Sequence, residues 1–220
     1  MNLAKLLPLK LDIHIHTINS GDSRIIPKAV PKIIKSKELD GIALTEHNKL
    51  FKYNLQGIIV LPGIEISTKR GHLLALGLEE NIKKGMPMDK TIMEVKRHDG
   101  IAVIAHPYSI SARADLNNLN IKPDAIETLN ARIMFCSISS KLAKRMANQL
   151  LLPTTGGSDS HILDTIGDAY TTVYAKSRSI NDILEAFRKG NIEAGGRCSS
   201  LKNKAKGRIG SITRKIRHIL

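Results

Sequence analysis

Six of the eight histidines stand at or just after a predicted strand, each with a carboxylate or a second histidine nearby. The clearest case is Asp12-Ile13-His14-Ile15-His16, where the two histidines are two positions apart. On a strand this spacing turns both imidazoles to one face, where their nitrogens can bind one cation. Asp12 shares that face, and we expect it to orient an imidazole by accepting its second N–H. The segment therefore predicts a metal site.

The other four of these histidines, together with Glu65, lie in five short motifs, most of which begin, end or directly follow a predicted strand. In chain order the motifs are TEH at 45–47, GIEIS at 63–67, GH at 71–72, AHPY at 105–108 and GGSDSH at 156–161. A lone histidine at a strand end is more often structural than a ligand, but six in this arrangement favour a metal centre. Histidine and carboxylate ligands without a thiolate suit Zn²⁺, Mn²⁺ or Fe²⁺ better than Mg²⁺ or Ca²⁺.

The elements that must position these residues alternate between short strands and helices, which is typical of an α/β protein with a largely parallel sheet. We expect strands at 11–16, 41–44, 57–61, 72–76, 101–105, 125–128 and 171–175. We expect helices at 27–36, 88–97, 139–150 and 179–189. In barrels and open sheets of this kind, functional residues gather at the C-terminal ends of the strands.

In order and spacing the motifs resemble the PHP (polymerase and histidinol phosphatase) family of metal-dependent phosphoesterases, over roughly residues 11–172. The resemblance implies a distorted (β/α)7 TIM-like barrel with a metal site at the strand C-terminal ends. It also implies three divalent ions, the first held by His14, His16, Glu65 and Asp159, the second by Asp22, His47 and His161, and the third by His72 and His106 with Glu65 bridging.

Two positions depart from the family pattern. The chain has Ser20-Gly21-Asp22 where family members commonly have Ser-Asp-Gly, and Glu46 where Asp is more usual. We expect Glu46, like Asp12, to support the site rather than to bind metal.

The chemistry that such ions provide predicts hydrolysis of a phosphomonoester or phosphodiester, in a small phosphorylated metabolite or nucleotide, by a metal-activated water. No protein nucleophile is required, and the chain has neither a GxSxG nor a GxxxxGK[ST] motif. A guanidinium pairs well with phosphate, so Arg132, Arg24 and Arg113 are candidate phosphate-binding residues. Arg132 is the strongest of them because it closely follows a predicted strand.

Charge is distributed unevenly along the 220 residues. The chain has 34 Lys and Arg against 20 Asp and Glu, and 42% hydrophobic residues exclude a disordered polycation. Eight of the basic residues and no acidic residue lie between Arg197 and Leu220. We therefore expect a PHP-type domain at 1–198 and a basic C-terminal tail at 199–220. The tail leaves an alternative open, a nucleic-acid-directed nuclease or a nucleic-acid-binding subunit.

Cys136 and Cys198 lie far apart in the sequence without a CxxC motif, so we expect neither a disulfide nor thiolate-bound zinc. This expectation fits a reducing cytoplasm. No apolar run approaches the ~20 residues of a membrane-spanning helix, and the first residues do not form a signal peptide. The sequence thus predicts a cytoplasmic protein without a transmembrane segment, and it makes no prediction of the oligomeric state.

Overall fold

The computed structural model describes residues 6–110, 113–114 and 119–207. Within these residues nine strands form one mixed sheet, and residues 201–207 are helical in addition to four other α-helices. The strands are β1 (Leu7–Ile15), β2 (Gly41–His47), β3 (Ile59–Ser67), β4 (His72–Leu76), β5 (Ile101–Ala105), β6 (Ala125–Asn130), β7 (Thr154–Gly157), β8 (Ala169–Ala175) and β9 (Ile192–Gly196). The helices are α1 (Val30–Ser36), α2 (Met88–Arg97), α3 (Cys136–Leu150) and α4 (Ile180–Arg188).

Each of the seven predicted strands and four predicted helices overlaps an element of the structure. Two further strands, β7 and β9, were not predicted from the sequence. Both are short and end in a pair of glycines, residues that are depleted in strands and therefore hide a strand signal.

The sheet curls into a nearly closed barrel with the strand order β7-β6-β5-β4-β3-β2-β1-β8-β9. Its edge at β7 returns to β1 and β8, since Ser160 pairs with Ile15 and the Gly156 N–H donates to Thr171 Oγ1 at 3.1 Å. A Cβ on Gly156 would lie 2.4 Å from the Tyr170 carbonyl oxygen, so only glycine permits this close approach. The expected TIM-like barrel is confirmed.

The sheet is less parallel than the sequence predicts. β4 runs antiparallel to both β3 and β5, and β8 runs antiparallel to β1 and β9. Only residues 68–71 join β3 to β4, too few for a parallel crossover. Because of this reversal, His72 at the start of β4 pairs with Ser67 at the end of β3 and with Ala105 at the end of β5. A histidine at the N-terminal end of its strand thus reaches the rim where other strands end.

Apolar side chains from eight strands and from α4 fill the barrel interior. α4 begins at Ser179, whose Oγ accepts the Asp182 N–H at 3.1 Å, as expected of a helix cap. Its Ile183 and Phe187 are fully buried in this cluster. Two further clusters lie outside the sheet, one beneath α1 and the other beneath α2 and α3. This packing leaves the opposite rim free for polar residues.

The expectation that the cysteines would not pair is wrong, because Cys136 and Cys198 form a disulfide. Their separation of 62 residues gave no sign of contact, but the barrel brings the start of α3 beside the segment that follows β9. Beyond Cys198, Ser199 Oγ donates to Asp168 Oδ2 at 2.7 Å and Lys204 Nζ donates to the Ile133 carbonyl at 2.6 Å. The first part of the expected basic tail therefore contacts the barrel.

The remainder of that tail, residues 208–220, lies outside the described residues. In the part of the chain that the structure describes, no helix combines the length and apolarity needed to cross a membrane.

Candidate metal centre

An irregularity in β1 aims both histidines of the HxH motif into the barrel. The pairing register with β2 shifts between Asp12 and Ile15. Ile13 packs in the interior cluster, whereas Ile15 packs outside the sheet beneath α1. The shift therefore reverses the alternation of sides, as β-bulges do next to active sites. His14 and His16 both point inward beyond it, with their ring centroids 5.1 Å apart.

Glu65 lies at the centre of the site. Its Oε1 is 2.8 Å from His72 Nδ1 and 3.0 Å from His106 Nε2. Its Oε2 is 2.8 Å from His47 Nδ1, and the Nε2 atom of His14 is 3.5 Å from Oε1. One buried carboxylate from β3 thus contacts histidines from four segments of the chain.

A second corner of the site forms around Asp22, His47 and His161. Asp22 Oδ2 lies 3.4 Å from His47 Nε2 and 3.3 Å from His161 Nε2. Gly21 turns the chain into this position with φ of 80°, a conformation that suits glycine. Asp22 therefore joins the predicted ligands although its motif departs from the family order.

The GGSDSH motif brings Asp159 and His161 to the same rim. Asp159 Oδ1 lies 3.5 Å from His16 Nε2, and its backbone φ of 52° is in the left-handed region, which is unusual for a residue other than glycine. A Cβ on Gly157 would lie 2.5 Å from the Cβ of His14, so this position also requires glycine. The motif therefore combines a close approach to β1 with backbone strain at a predicted ligand.

The donor set fits divalent metal ions. The Nε2 atoms of His14, His16 and His161 are buried and have no hydrogen-bond partner among the described residues. They lie 3.3–3.9 Å from carboxylate oxygens, and two ligands of one tetrahedral ion lie about 3.4 Å apart. Four groups of three residues each place their ligand atoms within 4.8 Å of one another: His16, His47 and His161; His14, His106 and Asp159; His14, His16 and Glu65; Glu65, His72 and His106.

The titration of the metal-free site is set by these contacts. Burial opposes the charge on His47, but Asp22 and Glu65 outweigh it and raise the pKa of the imidazole to about 10. Burial together with the neighbouring His47 and His161 lowers the pKa of His16 to about 3. At neutral pH the metal-free site thus holds protons on some imidazoles and not on others. Metal ions must displace those protons to bind, so we expect metal affinity to rise with pH.

Glu127 is a buried site residue that the sequence analysis did not single out. It lies on β6, and its Oε1 is 2.9 Å from His14 Nδ1. Its Oε2 accepts the backbone N–H of His106 at 2.8 Å and the Asn130 side-chain N–H at 3.0 Å. Glu127 therefore orients one predicted ligand and anchors another. The one available signal was a carboxylate within the otherwise uncharged strand Ala-Ile-Glu-Thr-Leu-Asn.

The role predicted for Asp12, to orient an imidazole, belongs instead to Glu127. The Asp12 carboxylate accepts backbone N–H groups of Ser158 at 2.9 Å, Gly167 at 2.8 Å and His14 at 3.3 Å. The shifted register of β1 explains the difference, because it separates Asp12 from the face that His14 and His16 share. Complete burial raises the pKa of Asp12 to about 6.

Glu46 holds the loop that follows β1. Its carboxylate accepts the Thr17 N–H at 2.9 Å and a hydrogen bond from Ser20 Oγ. Ser20 Oγ in turn accepts the His47 N–H at 3.2 Å and lies 3.1 Å from His16 Nδ1. Glu46 therefore reaches two predicted ligands through Ser20.

A cleft of about 460 Å³ opens above the histidines. Of the three predicted phosphate-binding arginines, only Arg132 lines this cleft among the described residues, with Nη1 3.9 Å from Asp159 Oδ2. The Arg113 guanidinium lies 5.7 Å from the ring centroid of Tyr108, which does line the cleft. Arg24 is exposed and lies outside the lining. Arg132 is therefore the arginine best placed for a bound phosphate.

We predict that Glu127→Gln lowers metal affinity and kcat/KM by about 10- to 100-fold, the usual cost of losing a residue that orients a metal ligand. Gln retains the size of Glu, but its amide N–H₂ would oppose the N–H groups of His14 and His106. Metal titration and steady-state kinetics measure both effects. Glu185 on α4, whose side chain is 44% exposed and which lies outside the site, supplies the control Glu185→Gln. Unchanged metal affinity in Glu127→Gln would show that the carboxylate does not hold the ligands.

The comparisons with known proteins agree with this geometry. Residues 138–192 match a family model described as PHP-associated. Over 143 residues the chain is 34% identical to the uncharacterized protein MJ1587 of Methanocaldococcus jannaschii, covering 56% of this chain and 82% of that relative.

Two solved structures show similar folds at low sequence identity. A two-domain protein from Bacteroides vulgatus, containing a predicted PHP-like metal-dependent phosphoesterase, is 19% identical with a TM-score of 0.65, covering 96% of this chain and 72% of that one. The lesion-specific endonuclease PfuEndoQ of Pyrococcus furiosus is 14% identical with a TM-score of 0.59, covering 86% of this chain and 58% of that one.

The nearly closed barrel, with histidines and carboxylates at one rim, is the fold of PHP-like metal-dependent phosphoesterases. The chain belongs to the PHP domain family.

Proposed function

We propose that the protein is a metal-dependent hydrolase of phosphate esters, acting on a small phosphomonoester or phosphodiester. The observation that supports this most directly is the convergence of nine histidine, aspartate and glutamate side chains, with Glu65 among them, at the base of a cleft that Arg132 lines. We assign three divalent ions to these ligands, with Zn²⁺, Mn²⁺ and Fe²⁺ as the candidate metals.

When bound, such ions polarise a phosphoryl oxygen and lower the pKa of a water molecule. The protein's own residues prepare the site for that chemistry. Glu127 accepts the Nδ1 proton of His14 and so leaves Nε2 available as a ligand. Arg132 lies across Asp159 from the histidines, where its guanidinium pairs with a phosphate oxygen of the substrate. No side chain is required as a nucleophile.

A second candidate function is hydrolysis of nucleic acid, or binding of nucleic acid by a subunit that uses the basic segment 199–220. The observation that favours it is where this segment leaves the barrel. Lys204 and Gly207 line a small pocket together with Arg132 and His161. The described part of the basic segment therefore lies beside the predicted ligand His161. The fold similarity to a lesion-specific endonuclease is compatible with this function.

The main test uses metal-depleted protein with 4-nitrophenyl phosphate and bis(4-nitrophenyl) phosphate. We expect turnover only after addition of Mn²⁺, Zn²⁺ or Fe²⁺. Loading at pH 7 should release protons, because His47 must lose the proton that its raised pKa retains. Calorimetry in buffers of different ionisation enthalpy measures that release. Binding of fewer than one ion per chain at saturation would contradict the proposal.

A charge-reduced variant separates the two candidates. In this variant Gln replaces Arg214, Lys215 and Arg217 together. The variant should hydrolyse nitrophenyl esters as fast as wild-type protein under either function. If nucleic acid is the substrate, the variant should cleave a 5′-phosphorylated oligonucleotide more slowly and with a weaker dependence on salt. Equal activity of variant and wild-type protein on the oligonucleotide would favour the small ester.

A further inference from the structure

The cleft above the metal centre has two chemically different sides. Its base carries the histidines and carboxylates, but one wall is formed by Ile110, Ile133, Met134 and Phe135. Phe135 is 57% exposed and Met134 is 45% exposed. Adjacent exposed apolar side chains beside a polar centre are typical of a ligand pocket rather than of ordinary surface.

The wall stands directly beside the phosphate-binding candidate. Residues 131–135 connect β6 to α3, and Arg132 comes two and three positions before Met134 and Phe135. A phosphate held between Arg132 and the metal ligands would therefore direct its ester group into the space that these two residues line. The base of the cleft is charged, so the wall is the part of the cleft suited to an apolar group.

Hydrogen bonds hold the backbone of residues 131–133, which leads directly into Met134 and Phe135. Asn130 Oδ1 accepts the backbone N–H groups of Arg132 at 3.1 Å and Ile133 at 3.2 Å. Lys204 Nζ donates to the Ile133 carbonyl, and the Ser199 N–H donates to the Ala131 carbonyl at 3.0 Å. A surface that is ordered before the ligand arrives loses less conformational entropy on binding.

We propose that Met134 and Phe135 select esters whose leaving group carries an aromatic or other planar apolar ring. This inference rests on the proposed phosphoesterase function and specifies its substrate. Phe135 is the most exposed of the three phenylalanines, since Phe187 is buried and Phe51 is half-buried. A ring that packs on Phe135 removes apolar surface of both partners from water and adds the attraction between two rings.

The apolar surface continues along α3 at Ile138, which is 61% exposed, and Leu142, which is 38% exposed. Neither residue lines the cleft. A docking face for another protein would use these residues together with Phe135, whereas a substrate pocket would use Phe135 without them. Ile138 is therefore a matched control, with similar exposure in the first turn of the helix that Phe135 precedes.

The test compares binding of phenylphosphonate and methylphosphonate, which lack a hydrolysable ester bond, to metal-loaded protein by calorimetry. We expect wild-type protein to prefer phenylphosphonate. Phe135→Ala should reduce this preference roughly three- to tenfold, the range for loss of an aromatic contact. Phe135→Leu retains apolar bulk and should reduce the preference less. It serves as the second variant in case Ala disturbs the start of α3. Ile138→Ala should leave it unchanged.

The ratio of kcat/KM for phenyl phosphate to kcat/KM for methyl phosphate should fall in Phe135→Ala and stay at the wild-type value in Ile138→Ala. Equal affinity of wild-type protein for the two phosphonates would overturn the inference, as would equal losses in Phe135→Ala and Ile138→Ala. The proposed function would survive either result as long as both esters turn over. Absence of turnover of every ester by metal-loaded protein would instead reject the proposed function, and the ratio of phosphonate affinities would still decide the role of the wall.

Discussion

Replacement of Glu65 by Gln is expected to lower kcat/KM for phosphate esters by at least about 10³-fold while the barrel stays folded. Glu65 contacts His47, His72 and His106 within 3.0 Å and approaches His14 at 3.5 Å. It also belongs to two of the four groups whose ligand atoms converge. Loss of its charge should therefore disturb more than one ion.

The effect should be large because Gln cannot take over the electrostatic role of the carboxylate. Burial alone would raise the pKa of Glu65, but His14, His106 and His47 hold it well below the usual range. The group therefore remains ionised at neutral pH in the metal-free protein, ready to bind a cation. A Gln amide is neutral, and its N–H₂ would face imidazole N–H groups or a metal ion.

Four measurements check this prediction. Metal analysis should show fewer ions per chain in Glu65→Gln, kinetics should show the loss of kcat/KM, and circular dichroism should show an unchanged fold. Added metal should also raise the melting temperature of the variant less than that of wild-type protein. Glu193→Gln, at an exposed position on β9, is the control. Full metal content with kcat/KM within tenfold of wild type would contradict the central role of Glu65.

Local motifs made much of the fold and the candidate site predictable. His14 and His16 share a face because their spacing is local, and TEH, AHPY and GGSDSH each end a strand or follow one closely. Hydrophobic runs bounded by turn residues located seven of the nine strands for the same reason. Barrel closure then brings these strand ends together. The fold class was therefore enough to predict that these motifs meet at one rim of the barrel.

Features that depend on contacts between distant segments were not predictable in this way. Glu127 binds His14 across 113 residues, and nothing in its own strand names that partner. Asp12 was assigned to an imidazole because regular alternation was assumed, whereas the register of β1 shifts beside it. The reversal of β4 and the pairing of Cys136 with Cys198 likewise follow from how the barrel closes. Single-sequence patterns carry no information on such pairings.

The disulfide between Cys136 and Cys198 should contribute strongly to the stability of the fold. A link across 62 residues lowers the entropy of the unfolded chain, which corresponds to about 4 kcal/mol of stability. For a chain of this size, its loss should lower the melting temperature by roughly 10 °C. Cys198 is half-buried, so a reductant has access to the bond.

Thermal unfolding with and without a phosphine reductant measures this contribution. Wild-type protein should melt at a lower temperature when reduced, while Cys198→Ser should melt at that lower temperature under both conditions. Alkylation and mass spectrometry should count two thiols in reduced wild-type protein. If the thiols are present and the melting temperature is unchanged, the disulfide does not stabilise the fold.

The link also joins α3 to the segment whose Ser199 and Lys204 hold residues 131–133. Reduction should therefore raise KM through Arg132 while metal content stays constant, because none of the predicted ligands lies between 131 and 136.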